Sequence, residues 1–100
     1  MSKITESARG ECCAVRLPEV CNHNIETVVC GHYRLSGYCG TGIKPPDWMA
    51  AYVCSACHDV IDGRVEVHWL SRDAIRLYHA EGVLRTQAKL IEKGLLEVVK

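Results

Sequence analysis

Apolar and polar positions alternate legibly in a few stretches of this chain, separated by segments rich in turn residues. Residues 26–35 concentrate β-branched and aromatic side chains and predict a strand. Residues 36–47 hold Gly37, Gly40, Gly42 and the pair Pro45-Pro46, which neither a helix nor a central strand tolerates. They predict a long loop, and long loops in compact domains usually carry function. Residues 49–53 fit a second strand or a short helix, because Ala50-Ala51 suits both. Residues 54–61 predict a short helix ended near Gly63, and residues 65–70 a short extended run. Ser71 is a good N-cap, with Asp73 in the first turn, for a helix that runs to Lys93 and stops at Gly94. At about 100° per residue, Leu77, Ala80, Leu84, Ala88 and Ile91 form one stripe about 80° wide, which is assigned to the core. Arg85, Lys89 and Lys93 lie off it and Arg72 and Arg76 flank its other side, as solvated faces. Gly82 costs up to about 1 kcal/mol against Ala in mid-helix, which points to a close packing partner or a kink. Residues 1–10 read as a polar, frayed arm, residues 11–24 as loop, and residues 95–99 as a short closing strand.

Composition narrows the class. One hundred residues, 48% hydrophobic and 24% charged, are expected to form a single domain over 1–100, and disorder and collagen-like repeats are excluded. No apolar run approaches the roughly 18 residues of a membrane span, and the first ten residues are too polar for an export signal, so a cytoplasmic location is expected. Phe is absent and aromatic residues make up 6%, which leaves few large core side chains. Seven cysteines look like the compensation. A reducing compartment and an odd count favour metal over disulfides. Lys and Arg balance Asp and Glu at twelve each, so the chain is no basic coat for nucleic acid. Locally, however, no acidic residue occurs from position 27 to 46, where His32, Arg34 and Lys44 fall. That segment could meet a polyanion.

Cys54-Ser55-Ala56-Cys57, entering a helix, has the form of a zinc knuckle, whose turn presents two sulfurs to one tetrahedral ion. A redox dithiol shares the spacing but calls for a βαβ context that is missing here. Cys13 and Cys21, on a loop around Pro18, can fold back to complete the site. The expected set is therefore Cys13, Cys21, Cys54 and Cys57 around one structural Zn2+. Cys12 could substitute for Cys13, and His23 could replace a cysteine. Cys30 and Cys39 are assigned as small buried hydrophobes. His58 and Asp62 stand at i and i+4, on one helix face, where they can hold a divalent cation with positions open for substrate. His32 lies on the first predicted strand. His23, His68 and His79 show no partner pattern.

A histidine on a strand, a glycine-rich loop, a second strand and then CxxCH opening a helix resemble the HNH, or His-Me finger, nucleases. More closely, four blocks resemble the YbcO family of small prophage nucleases: Cys13-x7-Cys21-Asn22, Gly31-His32-Tyr33-Arg34 through Lys44-Pro45-Pro46-Asp47, Cys54-Ser55-Ala56-Cys57-His58-Asp59-x-Ile61-Asp62, and Glu81-Gly82-x-x-Arg85-Thr86-Gln87. The resemblance runs over about residues 9–87. It implies an α+β fold: a zinc-stapled ββα-metal (HNH-like) core with a long C-terminal helix. It implies a metal-dependent endonuclease acting on DNA in phage or prophage DNA processing or recombination. By position, His32 would be the general base, His58 and Asp62 would hold the catalytic metal, and Arg34 and Lys44 would clamp phosphates. Asp62 at the final ligand position favours Mg2+ or Mn2+. The residue before the base is Gly31, where many such nucleases carry a ligand. Asp47 or a backbone carbonyl would orient the base in place of the usual Asn. A non-catalytic zinc-finger module that binds DNA or a partner protein is the alternative.

Overall fold

A computed structural model describes residues 2–99. In chain order it contains helix α1 (Lys3–Glu6), a 3-10 turn (Ile25–Thr27), strand β1 (Val29–His32), strand β2 (Ala50–Val53), helix α2 (Ser55–Ile61) and helix α3 (Arg72–Glu92). The protein is a small α+β molecule. The two strands pair antiparallel with Val29 opposite Val53 and His32 opposite Ala50. Tyr33 N–H to the Met49 carbonyl, 2.7 Å, carries the pairing one step further. β1 is shorter than expected because Asn24 caps the 3-10 turn through its side-chain oxygen, which consumes residues 25–27.

β2 is buried along its whole length and organises the rest. Its far edge is satisfied without a third strand: Ala14 N–H donates to the Tyr52 carbonyl (2.7 Å) and Tyr52 N–H donates to Thr86 Oγ1 (2.8 Å). The loop 11–24 and helix α3 thus cover an edge that would otherwise expose unpaired backbone groups. Arg85 Nη1 donates to the Ala14 carbonyl at 2.7 Å and ties that loop to α3.

α3 matches its expected ends. Ser71 Oγ accepts from Ala74 N–H, and Gly94 adopts φ 73°. Leu95 N–H bonds the Leu90 carbonyl at 2.9 Å and Gly94 N–H bonds the Ile91 carbonyl at 3.0 Å, which is the Schellman pattern of helix termination. The face expected in the core, however, faces water: Leu77, Leu84 and Ile91 are exposed, and Ile75, His79, Gly82, Val83, Thr86 and Leu90 are buried. The helix has two opposed faces with apolar residues. The core takes the one with small side chains, because β2 offers alanines and needs the Thr86 hydroxyl. At Gly82 a Cβ would lie 2.9 Å from Val15 Cγ2 and 3.2 Å from Ala51 Cβ, so the glycine marks a close packing partner and not a kink.

Three further expectations are corrected. Residues 2–10 are no frayed arm: Ser2 caps α1 and Ala8 is buried. A contact between Ser7 Oγ and the Tyr52 hydroxyl (2.7 Å) and the bond from Lys93 Nζ to the Ser7 carbonyl (3.0 Å) tie this segment down. Residues 95–99 form no strand, since Leu95 and Leu96 both direct their N–H groups at Leu90. Residues 65–70 turn instead of extending; Val65 N–H returns to the Asp59 carbonyl and the Trp69 indole N–H donates to the Pro18 carbonyl.

Candidate functional site

Two regions of the molecule gather chemistry. The first is the cysteine cluster. Cys54 is the N-cap of α2 and its sulfur accepts the Cys57 N–H at 3.4 Å, so Cys54 and Cys57 share the first turn. On the facing loop, Arg16 N–H points at Cys13 Sγ (3.5 Å), and Arg16 holds φ 54° to make that turn. Cys21 N–H bonds the Leu17 carbonyl, which folds the loop back. The Sγ atoms of Cys13, Cys21, Cys54 and Cys57 lie within 4.8 Å of one another, the one group of three or more close potential ligands among the described residues. Ligands about 2.3 Å from a tetrahedral ion sit about 3.8 Å apart, and Cys21 and Cys54 Sγ are 3.8 Å apart. The cluster can hold a metal ion such as zinc.

Electrostatics point the same way. Hydrogen bonds from Cys57 and from backbone N–H groups hold the Cys13 thiol below its ordinary range. The same hydrogen bond to Cys13, together with burial, pushes the Cys57 thiol up, while burial and the neighbouring Cys13 raise Cys21 to about 11. Four thiolates this close repel each other, and a divalent cation removes the conflict. Cys12 is exposed and His23 lies outside the cluster, its Nδ1 3.7 Å from Cys21 Sγ. Cys30 is half-buried against the core and burial pushes its thiol to about 11. Cys39 is also half-buried, in the long loop.

The second region is a cavity of about 470 Å³ at the end of β1, lined by Ser2, Thr5, His32, Arg34, Lys44, Pro45 and Asp47. His32 Nε2 and Asp47 Oδ1 are 2.8 Å apart. The His32 hydrogen bond, helped by Ser2, holds the Asp47 carboxyl below the usual carboxylate range. Ionised Asp47 can accept Nε2–H, and in the neutral imidazole Nδ1 is then the nitrogen with a lone pair. Three residues singled out in the sequence, His32, Arg34 and Lys44, converge here.

His58 and Asp62 do not line this cavity. They adjoin each other at the end of α2, where Asp62 is the C-cap, with Nε2 and Oδ2 3.3 Å apart. Neighbouring ligands of an octahedral ion at about 2.1 Å would be about 3.0 Å apart, so the pair fits a hard cation as two adjacent ligands. The same Asp62 oxygen, however, is held by Arg64 Nη2 at 2.9 Å, and Arg64 Nη1 reaches Asp59 at 2.7 Å. A cation would have to displace that guanidinium. Gly31 stands between strand and helix: a Cβ there would meet Val53 Cγ1 at 2.8 Å and His58 Cδ2 at 3.7 Å. No side chain fits at this position without moving Val53.

His79 showed no partner pattern in the sequence, yet it is a buried part of this region. Its Nε2 lies 2.9 Å from the Gly31 carbonyl, one residue from His32, and its ring meets Tyr33 edge-on at 4.9 Å. Burial pushes its pKa down, so a neutral imidazole donates Nε2–H to Gly31. The signal for it lay on the helix face of Gly82 and Thr86, opposite the apolar stripe.

A cysteine cluster that could hold a metal ion and a separate cation-lined cavity are carried on one small two-stranded α+β scaffold. The chain belongs to the family described as Putative nuclease YbcO, whose profile matches residues 2–95. It is 45% identical over 97 residues to Putative nuclease YbcO of Escherichia coli (strain K12), covering 97% of this chain and 99% of that protein. Putative nuclease ybcO of Enterobacteria phage 82 matches to the same extent. A solved structure described as a putative bacteriophage protein from Escherichia coli str. K-12 substr. MG1655 superposes with a TM-score of 0.74 at 41% identity, covering 90% of this chain and 98% of that one. Among the described residues no helix is long and apolar enough to cross a membrane.

Proposed function

We propose that this protein is a metal-dependent endonuclease that hydrolyses DNA phosphodiester bonds, serving phage or prophage DNA processing or recombination in the cytoplasm of a bacterial host. The observation that carries the reading is the His32–Asp47 pair, 2.8 Å apart, in a cavity that also collects Arg34 and Lys44. The nuclease names of relatives 45% identical over nearly the full length support it. In this reading the whole chain is one domain, β1, β2 and α2 make a ββα-metal (HNH-like) core, and the four cysteines take Zn2+ as a structural staple.

The chemistry follows from the side chains. Asp47 fixes the His32 tautomer and stabilises the imidazolium, and His32 Nδ1 takes the proton from the attacking water. Arg34 and Lys44 hold the phosphates, Arg34 through its two-pronged guanidinium. His58 and Asp62 would hold Mg2+ or Mn2+ once Arg64 releases Asp62; bound there, the ion supplies charge neutralisation at the scissile phosphate and its leaving oxygen. The resemblance to His-Me finger nucleases implies 5′-phosphate and 3′-hydroxyl ends.

The test is cleavage of supercoiled plasmid with and without added Mg2+ or Mn2+. His32→Ala is expected to keep its zinc content and circular dichroism while cutting falls about 10²–10⁴-fold. Wild-type cutting rates in His32→Ala would refute the reading. A second reading, a zinc-finger module that binds DNA or a partner protein without cutting, draws on Gly31 at a ligand position and on Arg64 seated against Asp62. It predicts binding without metal-dependent cleavage.

A further inference from the structure

The loop between β1 and β2 and the residue that closes it spend scarce aromatic residues on the surface. Tyr38 is 50% exposed and Trp48 41% exposed, in a chain with only four tyrosines and two tryptophans. The two rings meet edge to face, with centroids 6.5 Å apart and planes at 79°. Trp48 is anchored by its backbone: its carbonyl accepts from Gln87 Nε2 at 3.0 Å, and Met49 N–H bonds the Pro46 carbonyl. Its neighbour Asp47 lines the His32 cavity.

Cations surround the same loop. Arg34 and Lys44 are in the cavity wall. Arg76 stacks its guanidinium over Tyr33 at 4.7 Å and reaches the Arg34 carbonyl at 3.5 Å. No acidic residue occurs from position 27 to 46, although the chain as a whole is neutral. A net-neutral chain whose cavity wall carries two cations, Arg34 and Lys44, lacks the density of positive charge that tracking duplex phosphates over a broad face requires. Exposed rings beside a few cations are instead the equipment for unpaired nucleotides, since every base has a face to stack whatever its identity. The cavity, at about 470 Å³, lies within the range of pockets that enclose a small ligand.

We infer that the substrate of this site is single-stranded DNA, with bases stacking on Tyr38 and Trp48 while Arg34 and Lys44 take the backbone. The inference rests on the nuclease reading for what happens to the strand, but binding can be measured apart from cleavage. The whole protein is titrated without added Mg2+ or Mn2+, in a Trp69→Phe background that leaves Trp48 as the only tryptophan. Oligothymidylate is expected to quench Trp48 fluorescence and to bind at least about ten-fold more tightly than a duplex of the same length. Tyr38→Ala and Trp48→Ala, followed with a labelled oligonucleotide, are each expected to weaken single-strand binding about 5–150-fold. Trp48→Phe should lose far less. Equal affinity for single strand and duplex, wild-type binding by both alanine variants, or a preference for oligouridylate over oligothymidylate would each overturn the inference. Cutting separates the two claims. Loss of cutting in His32→Ala with unchanged binding by the aromatic variants sinks this inference alone, whereas wild-type cutting by His32→Ala sinks the nuclease reading and leaves the binding result standing.

Discussion

His79→Ala removes the imidazole that joins α3 to β1. His79 is 5% exposed, so the substitution empties a packed site. Losing the hydrogen bond to the Gly31 carbonyl costs about 0.5–1.5 kcal/mol. Deleting most of a buried ring adds about 2–3 kcal/mol, at the lower end of large-to-small core substitutions. The total, about 2.5–4.5 kcal/mol, corresponds to a melting point lower by roughly 10–36 °C in a domain of this length. His79→Gln keeps an N–H donor and should recover part of that. The pH dependence has a definite sign. Burial lowers the folded-state pKa of His79, with His58 and Arg76 lowering it further and the Gly31 carbonyl and Asp62 opposing. The unfolded chain therefore binds the proton more readily, and this histidine subtracts stability as pH falls below about 6.5. The stability advantage of wild type over His79→Gln should shrink as pH is lowered through that value, because Gln does not titrate. The assay is thermal melting by circular dichroism at fixed zinc. A His79→Ala melting point within about 5 °C of wild type would refute the claim that this imidazole holds helix to strand.

Purified protein is expected to carry about one zinc per chain by elemental analysis. Cys54→Ser or Cys57→Ser should be insoluble or unfolded, because structural zinc is worth about 10–16 kcal/mol against the roughly 5–15 kcal/mol of a whole domain. Cys12→Ser should keep its metal; folded, metal-free wild type would contradict the assignment. Arg64→Ala frees the Asp62 carboxylate and should tighten Mn2+ binding, read by electron paramagnetic resonance of the free ion; unchanged affinity would exclude His58 and Asp62 as the cation site. Gly82→Ala gains about 1 kcal/mol of helix propensity but loses about 1–3 kcal/mol to overpacking against Val15 and Ala51, so urea unfolding should show destabilisation of up to about 2 kcal/mol. Leu84→Lys, on the exposed face, should stay within about 0.5 kcal/mol of wild type.

What could be read from the amino acids was whatever depends on local spacing. Cys54 and Cys57 three apart, Ser71 before a helical run and Gly94 after it each act within one turn, and the structure keeps all three. The pairing of Cys13 and Cys21 with that knuckle was legible because Pro18 makes the loop fold back. The inward face of α3 was not. Leu77, Leu84 and Ile91 make the stronger apolar stripe, yet packing against Ala50 and Ala51 rewards close approach, which favours Gly82 and Thr86. His79 was hidden for the same reason, since its partner is a backbone carbonyl 48 positions away. The segment 1–10 looked like an arm because its anchors, Tyr52 and Lys93, lie far off in the chain. Asp47 was open as the orienting group for His32, and the 2.8 Å contact agrees with it.

The ligand set of the cysteine cluster is split, half from the loop 11–24 and half from the start of α2, with Cys21 and Cys54 33 positions apart. With metal bound, the chain between them becomes a closed ring that contains β1, the long loop, β2 and His32. A protease that nicks the exposed loop opens the ring without releasing either piece, because both ends remain clipped to one ion and paired strand to strand. Such a nicked protein should migrate as a single species under native conditions and come apart only when a chelator removes the metal. The loop that carries Tyr38 and Lys44 can thus be cut, lengthened or exchanged while the two halves stay in register around His32.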